Sequence, residues 1–266
     1  MEKKIIFKNN RGQKIAGVFN IPKTKPPYPA VIICHGFKGY KDQAHLKSLA
    51  SSLAKQGILA FRFDFGNGVG KSYGKLEDIT FAQYLNDLKT VIDFISKNKT
   101  VDKNRIGLVG HSLGGQLILH YAPSDKRVKV LADWAGVIFR GGGQTNLGKI
   151  IMLQLDEAKK TGYFQIRSAR TGKVYKIKID YYFDILKHNT PAWVKKIKIP
   201  TLILHGSKDN SVSLKHSEMA YRLVKGPKKF IIIPGAPHTW RGKDDPGGKF
   251  QKEINLITTG WFKKYL

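Results

Sequence analysis

The chain has 266 residues, of which 41% are hydrophobic and 11% aromatic, which fits one α/β domain with an insertion and excludes a disordered protein. Its single cysteine, Cys34, excludes an internal disulfide framework. The apolar run at the N-terminus is too short for a signal-peptide core, and no apolar stretch approaches the length of a membrane-spanning helix. We therefore expect a cytoplasmic protein with no membrane partner.

The charge is strongly positive, with 47 Lys and Arg residues against 19 Asp and Glu residues, a formal net charge of +28. A field of this sign attracts polyanions such as nucleic acids. The basic residues are scattered along the chain, however, and form no long basic arm. This pattern favours a lysine-rich surface that binds polyanions weakly over a specific nucleic-acid site. A polyanion-binding protein remains an alternative function.

The predicted elements begin with two alternating stretches, 4–8 and 14–19, which predict an antiparallel hairpin. Strands and helices then alternate along the chain. In chain order the pattern predicts a strand at 29–34, a helix at 42–55, a strand at 58–63, a helix at 81–96, a strand at 105–109, a helix at 113–121 and a strand at 128–133. Such alternation implies an α/β fold, a mostly parallel sheet with helices on both faces.

The alternation stops between residues 136 and 198, where the sequence is irregular apart from a predicted hairpin at 163–179 that turns at Thr171-Gly172. It resumes with a strand at 201–205, a helix at 214–224, a strand at 229–233 and a final helix from about 248. We therefore predict a core domain formed by residues 1–135 and 199–266, with residues 136–198 inserted as a cap.

The strongest chemical signal is the stretch 110–115, which reads GHSLGG and matches the pattern G-x-S-x-G. It follows a predicted strand and begins a predicted helix, which is the context that a nucleophile elbow requires. The glycines let neighbouring backbone pass where a side chain would clash, and the helix N-terminus favours developing negative charge. We therefore predict Ser112 as a nucleophile.

A serine hydroxyl needs a base at neutral pH, and the chain has eight histidines. His238 lies in the stretch 235–240, GAPHTW, directly after the last predicted strand. Loops at the carboxyl ends of parallel strands are where such sheets bind ligands, which favours His238 as the base. The remaining histidines lie inside the elbow, in the insertion, in the stretch HGFKG at 35–39 or in predicted helices and strands: His35, His45, His111, His120, His188, His205 and His216.

The acid that orients the base should lie between the serine and the histidine in the chain. Asp209 is the sole carboxylate in the loop that follows the predicted strand 201–205. Asp133, which ends an earlier predicted strand, is the rival. An acyl-transfer site also needs N–H donors for the oxyanion, and position alone favours the backbone N–H groups of Phe37 and Leu113.

These features, in this order, resemble the α/β-hydrolase family over about 29–135 and 200–266. The stretch 64–74, DFGNGVGKSYG, is similar to a turn motif of that family with one extra residue, and the motif HGFKG at 35–39 resembles that of cinnamoyl and feruloyl esterases and other small carboxylesterases. The resemblance implies Ser112, Asp209 and His238 as a catalytic triad and Phe37 and Leu113 as oxyanion donors.

We therefore expect hydrolysis of short-to-medium acyl or aromatic esters through an acyl-enzyme, with a small-molecule substrate, no cofactor and no metal. An amide or peptide hydrolase with the same triad is the alternative enzyme. Selectivity should come from the insertion, whose aromatic residues should partly face the triad. These residues are Phe139, Tyr163, Phe164, Tyr175, Tyr181, Tyr182, Phe183 and Trp193.

Overall fold

The computed structural model describes residues 1–139, 144–167, 172–241, 245 and 248–266. Eight strands form one sheet, in which the first strand is antiparallel to the second, the second is antiparallel to the fourth, and the remaining neighbours are parallel. The strands are β1 Glu2–Lys8, β2 Lys14–Asn20, β3 Tyr28–Cys34, β4 Leu59–Phe63, β5 Val101–His111, β6 Val128–Trp134, β7 Tyr163–Arg167, β8 Val174–Lys178, β9 Thr201–Gly206 and β10 Lys228–Ile233. Their order in the sheet is β1-β2-β4-β3-β5-β6-β9-β10, and β7 and β8 form a separate hairpin.

Helices cover both faces of this sheet. They are α1 Ala44–Lys55, α2 Phe81–Ser96, α3 Leu113–Tyr121, α4 Asn146–Leu153, α5 Leu155–Thr161, α6 Asp180–Lys187, α7 Thr190–Val194, α8 Lys215–Leu223 and α9 Lys249–Tyr265. Side chains of α1 and α9 pack in one apolar cluster, and those of α2, α3 and α8 pack in the other. The mostly parallel sheet predicted from the alternation is confirmed.

Strand β3 shows why its sequence is a continuous apolar run. Val31 and Ile33 belong to the cluster under α1 and α9, whereas Ile32 and Cys34 belong to the cluster under α2 and α3. A central parallel strand covered on both faces must be apolar at every position. Cys34 is buried there, and burial raises the pKa of its thiol well above the ordinary value, so it acts as a small apolar side chain.

The segment between β6 and β9 differs from the irregular structure expected for it. Its described residues form four helices, α4 to α7, as well as the predicted hairpin of β7 and β8, whose turn residue Thr171 lies outside the described residues. Short helices with few periodic apolar residues leave little signal in the sequence. We call residues 136–198 the insertion.

The insertion packs directly on the rest of the chain. Helix α6 lies against α2, where the backbone N–H of Ala82 donates to Asp184 Oδ2 at 3.0 Å, and α7 lies against α3, where Gln116 Nε2 donates to Thr190 at 3.2 Å. The apolar residues of the insertion, such as Phe164, belong to the same buried cluster as those of α2 and α3. None of the helices in the described parts of the chain is both long and apolar enough to cross a bilayer.

Candidate active site

The predicted site residues all follow strands at one edge of the sheet. Phe37 follows β3, Ser112 follows β5, Asp209 follows β9 and His238 follows β10. These strands are neighbours in the sheet, except that β6 lies between β5 and β9. Because parallel strands end at the same edge, four loops that are distant in sequence meet there.

Ser112 occupies a strained backbone position at the turn from β5 into α3. Its φ and ψ are 58° and −118°, a positive φ that non-glycine residues seldom adopt. Two glycines make the turn possible, because a Cβ built at Gly110 would lie 2.2 Å from the Gly114 carbonyl oxygen, and one built at Gly114 would lie 2.5 Å from that of Cys34. Ser112 stands at the N-terminus of α3, the positive end of the helix dipole.

His238 and Asp209 form a short hydrogen bond. His238 Nδ1 lies 2.6 Å from Asp209 Oδ2. The side chain of Asp209 is fully buried, and that of His238 is 16% exposed. Because an ionised carboxylate only accepts hydrogen bonds, the imidazole proton lies on Nδ1, which leaves the lone pair of Nε2 free to act as a base.

Four donors hold the carboxylate of Asp209. The backbone N–H groups of Ser211 and Val212 donate to Oδ1 at 2.8 and 2.9 Å, and His205 Nε2 lies 3.3 Å from Oδ2 beside His238. Burial by itself would raise the pKa of the Asp209 carboxyl, but the hydrogen bonds from His205 and His238, the charge of His238 and the Val212 N–H hold that pKa well below its ordinary range. Asp209 is therefore ionised throughout the neutral range.

Asp133, the rival acid, occupies a different environment. Its side chain is fully buried at the end of β6, against the backbones of Gly115 and Gly136. Burial raises the pKa of the Asp133 carboxyl to about 8, against the opposing effect of a hydrogen bond from the Gly136 backbone. A carboxyl that is largely protonated at neutral pH cannot stabilise an imidazolium, and the hydrogen bond to His238 comes from Asp209.

The backbone N–H groups of Phe37 and Leu113, the predicted oxyanion donors, donate to no protein acceptor within the described residues. His35 shapes the loop before Phe37, because its Nε2 accepts from the Phe65 N–H at 3.0 Å and its Nδ1 donates to the Gly36 carbonyl at 2.9 Å. Phe37 and Leu113 thus lie on separate segments that line the same cavity.

That cavity has a volume of about 390 Å³ and lies between the sheet edge and the insertion. Ser112 and His238 are part of its wall, together with Phe37 and Leu113. The insertion contributes mainly aliphatic side chains, which are Val137, Leu147, Ile150, Ile151, Ile166 and Ile185. The site therefore opens into an apolar pocket of the size that small-molecule ligands fill.

We expect most aromatic residues of the insertion to form its own core and some to face the triad, and few of them line this pocket. Of the eight that the sequence singled out, all of them described, only Tyr181 lines the cavity, 5.8 Å from the ring of Phe37. Phe164 packs inside the insertion against Tyr182, and Trp193 packs against His120. These rings therefore pack within the insertion or against α3.

Three residues for which the sequence predicts no role support the site. His205 lies in a predicted strand, yet it contacts Asp209. His111 lies inside the elbow, and its Nε2 donates to the His238 carbonyl at 2.9 Å. Trp240 is buried against Trp134, with ring centroids 5.9 Å apart, and anchors the loop that carries His238. The spacing of four residues between His205 and Asp209 was the one available signal.

Comparisons with known proteins agree with this architecture. Residues 25–145 match the family described as Serine aminopeptidase, S33. An uncharacterised 31.7 kDa protein of Escherichia coli is 27% identical over 95% of this chain and 96% of its own length. The human mitochondrial palmitoyl-protein thioesterase ABHD10 is 25% identical over 84% of this chain and 71% of its own length.

Among solved structures, Est1E from Butyrivibrio proteoclasticus, with ferulic acid bound, superposes with a TM-score of 0.73 at 25% identity. The match covers 95% of this chain and 98% of Est1E. The chain thus has the α/β-hydrolase fold and resembles esterases of that fold.

Proposed function

We propose that the chain is a serine esterase that cleaves carboxylic esters through an acyl-enzyme on a Ser112–His238–Asp209 triad. The observation that carries the proposal is the 2.6 Å contact between His238 Nδ1 and the buried Asp209 carboxylate, beside a cavity that Ser112 also lines. A base held by an acid, next to a serine on a strained elbow, is the arrangement that nucleophilic catalysis needs.

In the proposed reaction, His238 Nε2 removes the hydroxyl proton of Ser112 as the oxygen attacks the ester carbonyl. Asp209 stabilises the imidazolium that forms, and the N–H groups of Phe37 and Leu113 bind the oxyanion. The tetrahedral intermediate collapses as His238 protonates the leaving alcohol. A water molecule, activated by the same histidine, then attacks the acyl-enzyme and releases the carboxylic acid product.

The pocket supports short-to-medium acyl chains or small aromatic acyl groups. A volume of about 390 Å³ with aliphatic walls favours burial of apolar carbon next to Ser112. The insertion supplies most of these walls, so we propose that it acts as the cap that selects the substrate. The ferulic acid bound to Est1E and the thioesterase activity named for ABHD10 indicate acyl-transfer chemistry in similar proteins.

A peptide hydrolase is the second candidate, because the matching family is described as a serine aminopeptidase. An aminopeptidase must bind the positively charged N-terminus of its substrate. The described residues that line the cavity include Lys38 and Arg167 but no Asp or Glu. A cationic pocket repels an ammonium group, and this favours the esterase.

A panel of p-nitrophenyl esters of increasing acyl length, run beside a matched anilide and an aminoacyl anilide, tests the proposal. The esterase should hydrolyse the short-to-medium esters far faster than either anilide. Ser112→Ala should lower the rate of ester hydrolysis about a millionfold, which is the effect of losing a triad nucleophile in other enzymes. Preference for the aminoacyl anilide would establish the peptidase instead.

A further inference from the structure

Lys38 immediately follows the proposed oxyanion donor Phe37 and lines the same cavity. Its Nζ lies 5.8 Å from the ring centroid of Phe37 and 5.5 Å from that of Tyr175 on β8. Ammonium groups bind aromatic faces at such distances, so the rings of Phe37, which lines the cavity, and Tyr175, on β8, both attract this cation.

No acidic residue in the described parts of the chain neutralises this cation. Across the described residues, Lys38 makes no ion pair, and its Nζ donates no hydrogen bond. Its side chain is half-buried, and burial lowers the pKa of the Lys38 amine because water is partly removed from the charge. A partly desolvated ammonium whose donors have no acceptor among the described residues is suited to bind an anion.

The rest of the pocket agrees with this reading. Arg167 supplies a second cation to the wall, and its guanidinium donates one hydrogen bond to the Gly172 carbonyl at 3.2 Å, the one that it makes within the described residues. Aliphatic side chains are the largest group in the remaining lining, which contains no carboxylate within the described residues. The cavity thus combines an apolar interior with positive charge.

We infer that the preferred ester carries a negative charge, a carboxylate or a phosphate, which binds Lys38 with support from Arg167 while the acyl carbon fills the aliphatic pocket. This inference rests on the proposed esterase function and names its substrate class. It also gives the residue after the oxyanion donor a role in specificity. Charge pairing in a partly desolvated site contributes selectivity because the wrong partner leaves the cation unpaired.

Two pairs of substrates, each matched in size, test the inference and locate the charge. For the acyl half, mono-p-nitrophenyl adipate is compared with p-nitrophenyl hexanoate, which has a methyl group in place of the carboxylate. For the leaving half, the butyrate ester of m-hydroxybenzoate is compared with that of m-hydroxybenzamide. The readout is the ratio of kcat/KM for the anionic ester to that for its neutral counterpart.

The variants are Lys38→Gln, Lys38→Arg and a control, Lys173→Gln. Lys173 also lies over the Tyr175 ring, at 5.2 Å, but is exposed and does not line the cavity. Lys173→Gln therefore removes the same charge from the molecule without changing the pocket. Thermal unfolding of each variant checks that the fold is retained.

We expect the wild type to prefer the anionic ester in at least one pair. Lys38→Gln should lower the ratio in that pair by about tenfold, mainly through KM, whereas Lys38→Arg should largely restore it and Lys173→Gln should leave it unchanged. A ratio that Lys38→Gln does not alter, or that Lys173→Gln alters equally, overturns the inference while ester hydrolysis stands. No Ser112-dependent turnover of any of the four esters would overturn the proposed function as well.

Discussion

His205 Nε2 lies 3.3 Å from Oδ2 of Asp209, the same oxygen that His238 Nδ1 contacts at 2.6 Å. His205 Nδ1 accepts from the Ser217 hydroxyl at 2.8 Å, and its Nε2 donates also to the Val212 carbonyl at 3.0 Å. A second, fully buried histidine thus supports the carboxylate from strand β9. The Asp209 carboxylate is therefore held by His205 on β9 and by its own loop, as well as by the proposed base His238.

This arrangement predicts a stability cost when His205 is removed. His205→Leu takes a donor from a buried carboxylate, so the free energy of unfolding in urea should fall by about 1.5–3 kcal/mol. Ser217→Ala removes only the neutral bond on the far side of the same ring and should cost about 0.5–1.5 kcal/mol. A His205→Leu cost no larger than that of Ser217→Ala would show that His205 does not stabilise the charge.

Substitution of the two aspartates at the sheet edge, Asp209 and Asp133, should affect turnover very differently. Asp209→Asn should lower kcat on a short ester by roughly four orders of magnitude, because the amide cannot hold the required histidine tautomer. Asp133→Asn should retain most of the activity, since its carboxyl is buried against Gly115 and Gly136. If Asp133→Asn abolished activity while Asp209→Asn remained active, the acid that orients the base would be Asp133 on β6 and not Asp209.

Asp133 should instead influence how stability depends on pH. Its pKa is raised to about 8 in the fold, so between its unfolded pKa of about 4 and its folded pKa the native state holds a proton that the unfolded state releases. The unfolding free energy contributed by Asp133 therefore falls as the pH rises through this window. The asparagine of the Asp133→Asn variant does not titrate, so its contribution to the free energy of unfolding does not fall as the pH rises.

The stability of Asp133→Asn relative to wild type should therefore increase from about pH 5 to about pH 8, by at most about 1.4 kcal/mol per pH unit. Urea unfolding of both proteins at the two pH values measures the difference. A difference that stays constant across the window would mean that Asp133 is ionised in the fold.

The fold and the candidate site differ in how much the sequence alone could predict. Core strands such as β3 are fully apolar because both faces are covered, and the elbow at Ser112 is local, so five residues encode it. Both were predictable for these reasons.

Features that depend on contacts between distant segments were harder to predict. The helices of the insertion bury residues such as Ile151 against the main core, so their own periodicity is weak. Nothing in the text around Tyr181 distinguishes it from Tyr182, yet only the former lines the cavity, because that choice depends on how α6 rotates against α2. His205 likewise looks like any buried strand residue until the loop after it turns back to bring Asp209 alongside.

Helix α6 offers a direct test of the pocket. Ile185 lines the cavity, whereas Phe183, on the same helix, is 45% exposed and does not. Ile185→Ala should shift the preferred p-nitrophenyl ester towards longer acyl chains, because the pocket gains volume. Phe183→Ala should leave the ranking of chain lengths unchanged. The same shift in both variants, or in neither, would indicate that the pocket wall at Ile185 does not select the acyl group.

The central claim is that Ser112 is the activated nucleophile, and covalent labelling with a fluorophosphonate measures this most directly. The probe reacts with a serine only when a base and an oxyanion hole activate it. We predict one adduct per chain, located on Ser112 by peptide mass mapping, and no labelling of a folded Ser112→Ala variant. Labelling that persists in Ser112→Ala, or an adduct on another serine of the wild type, would contradict the account.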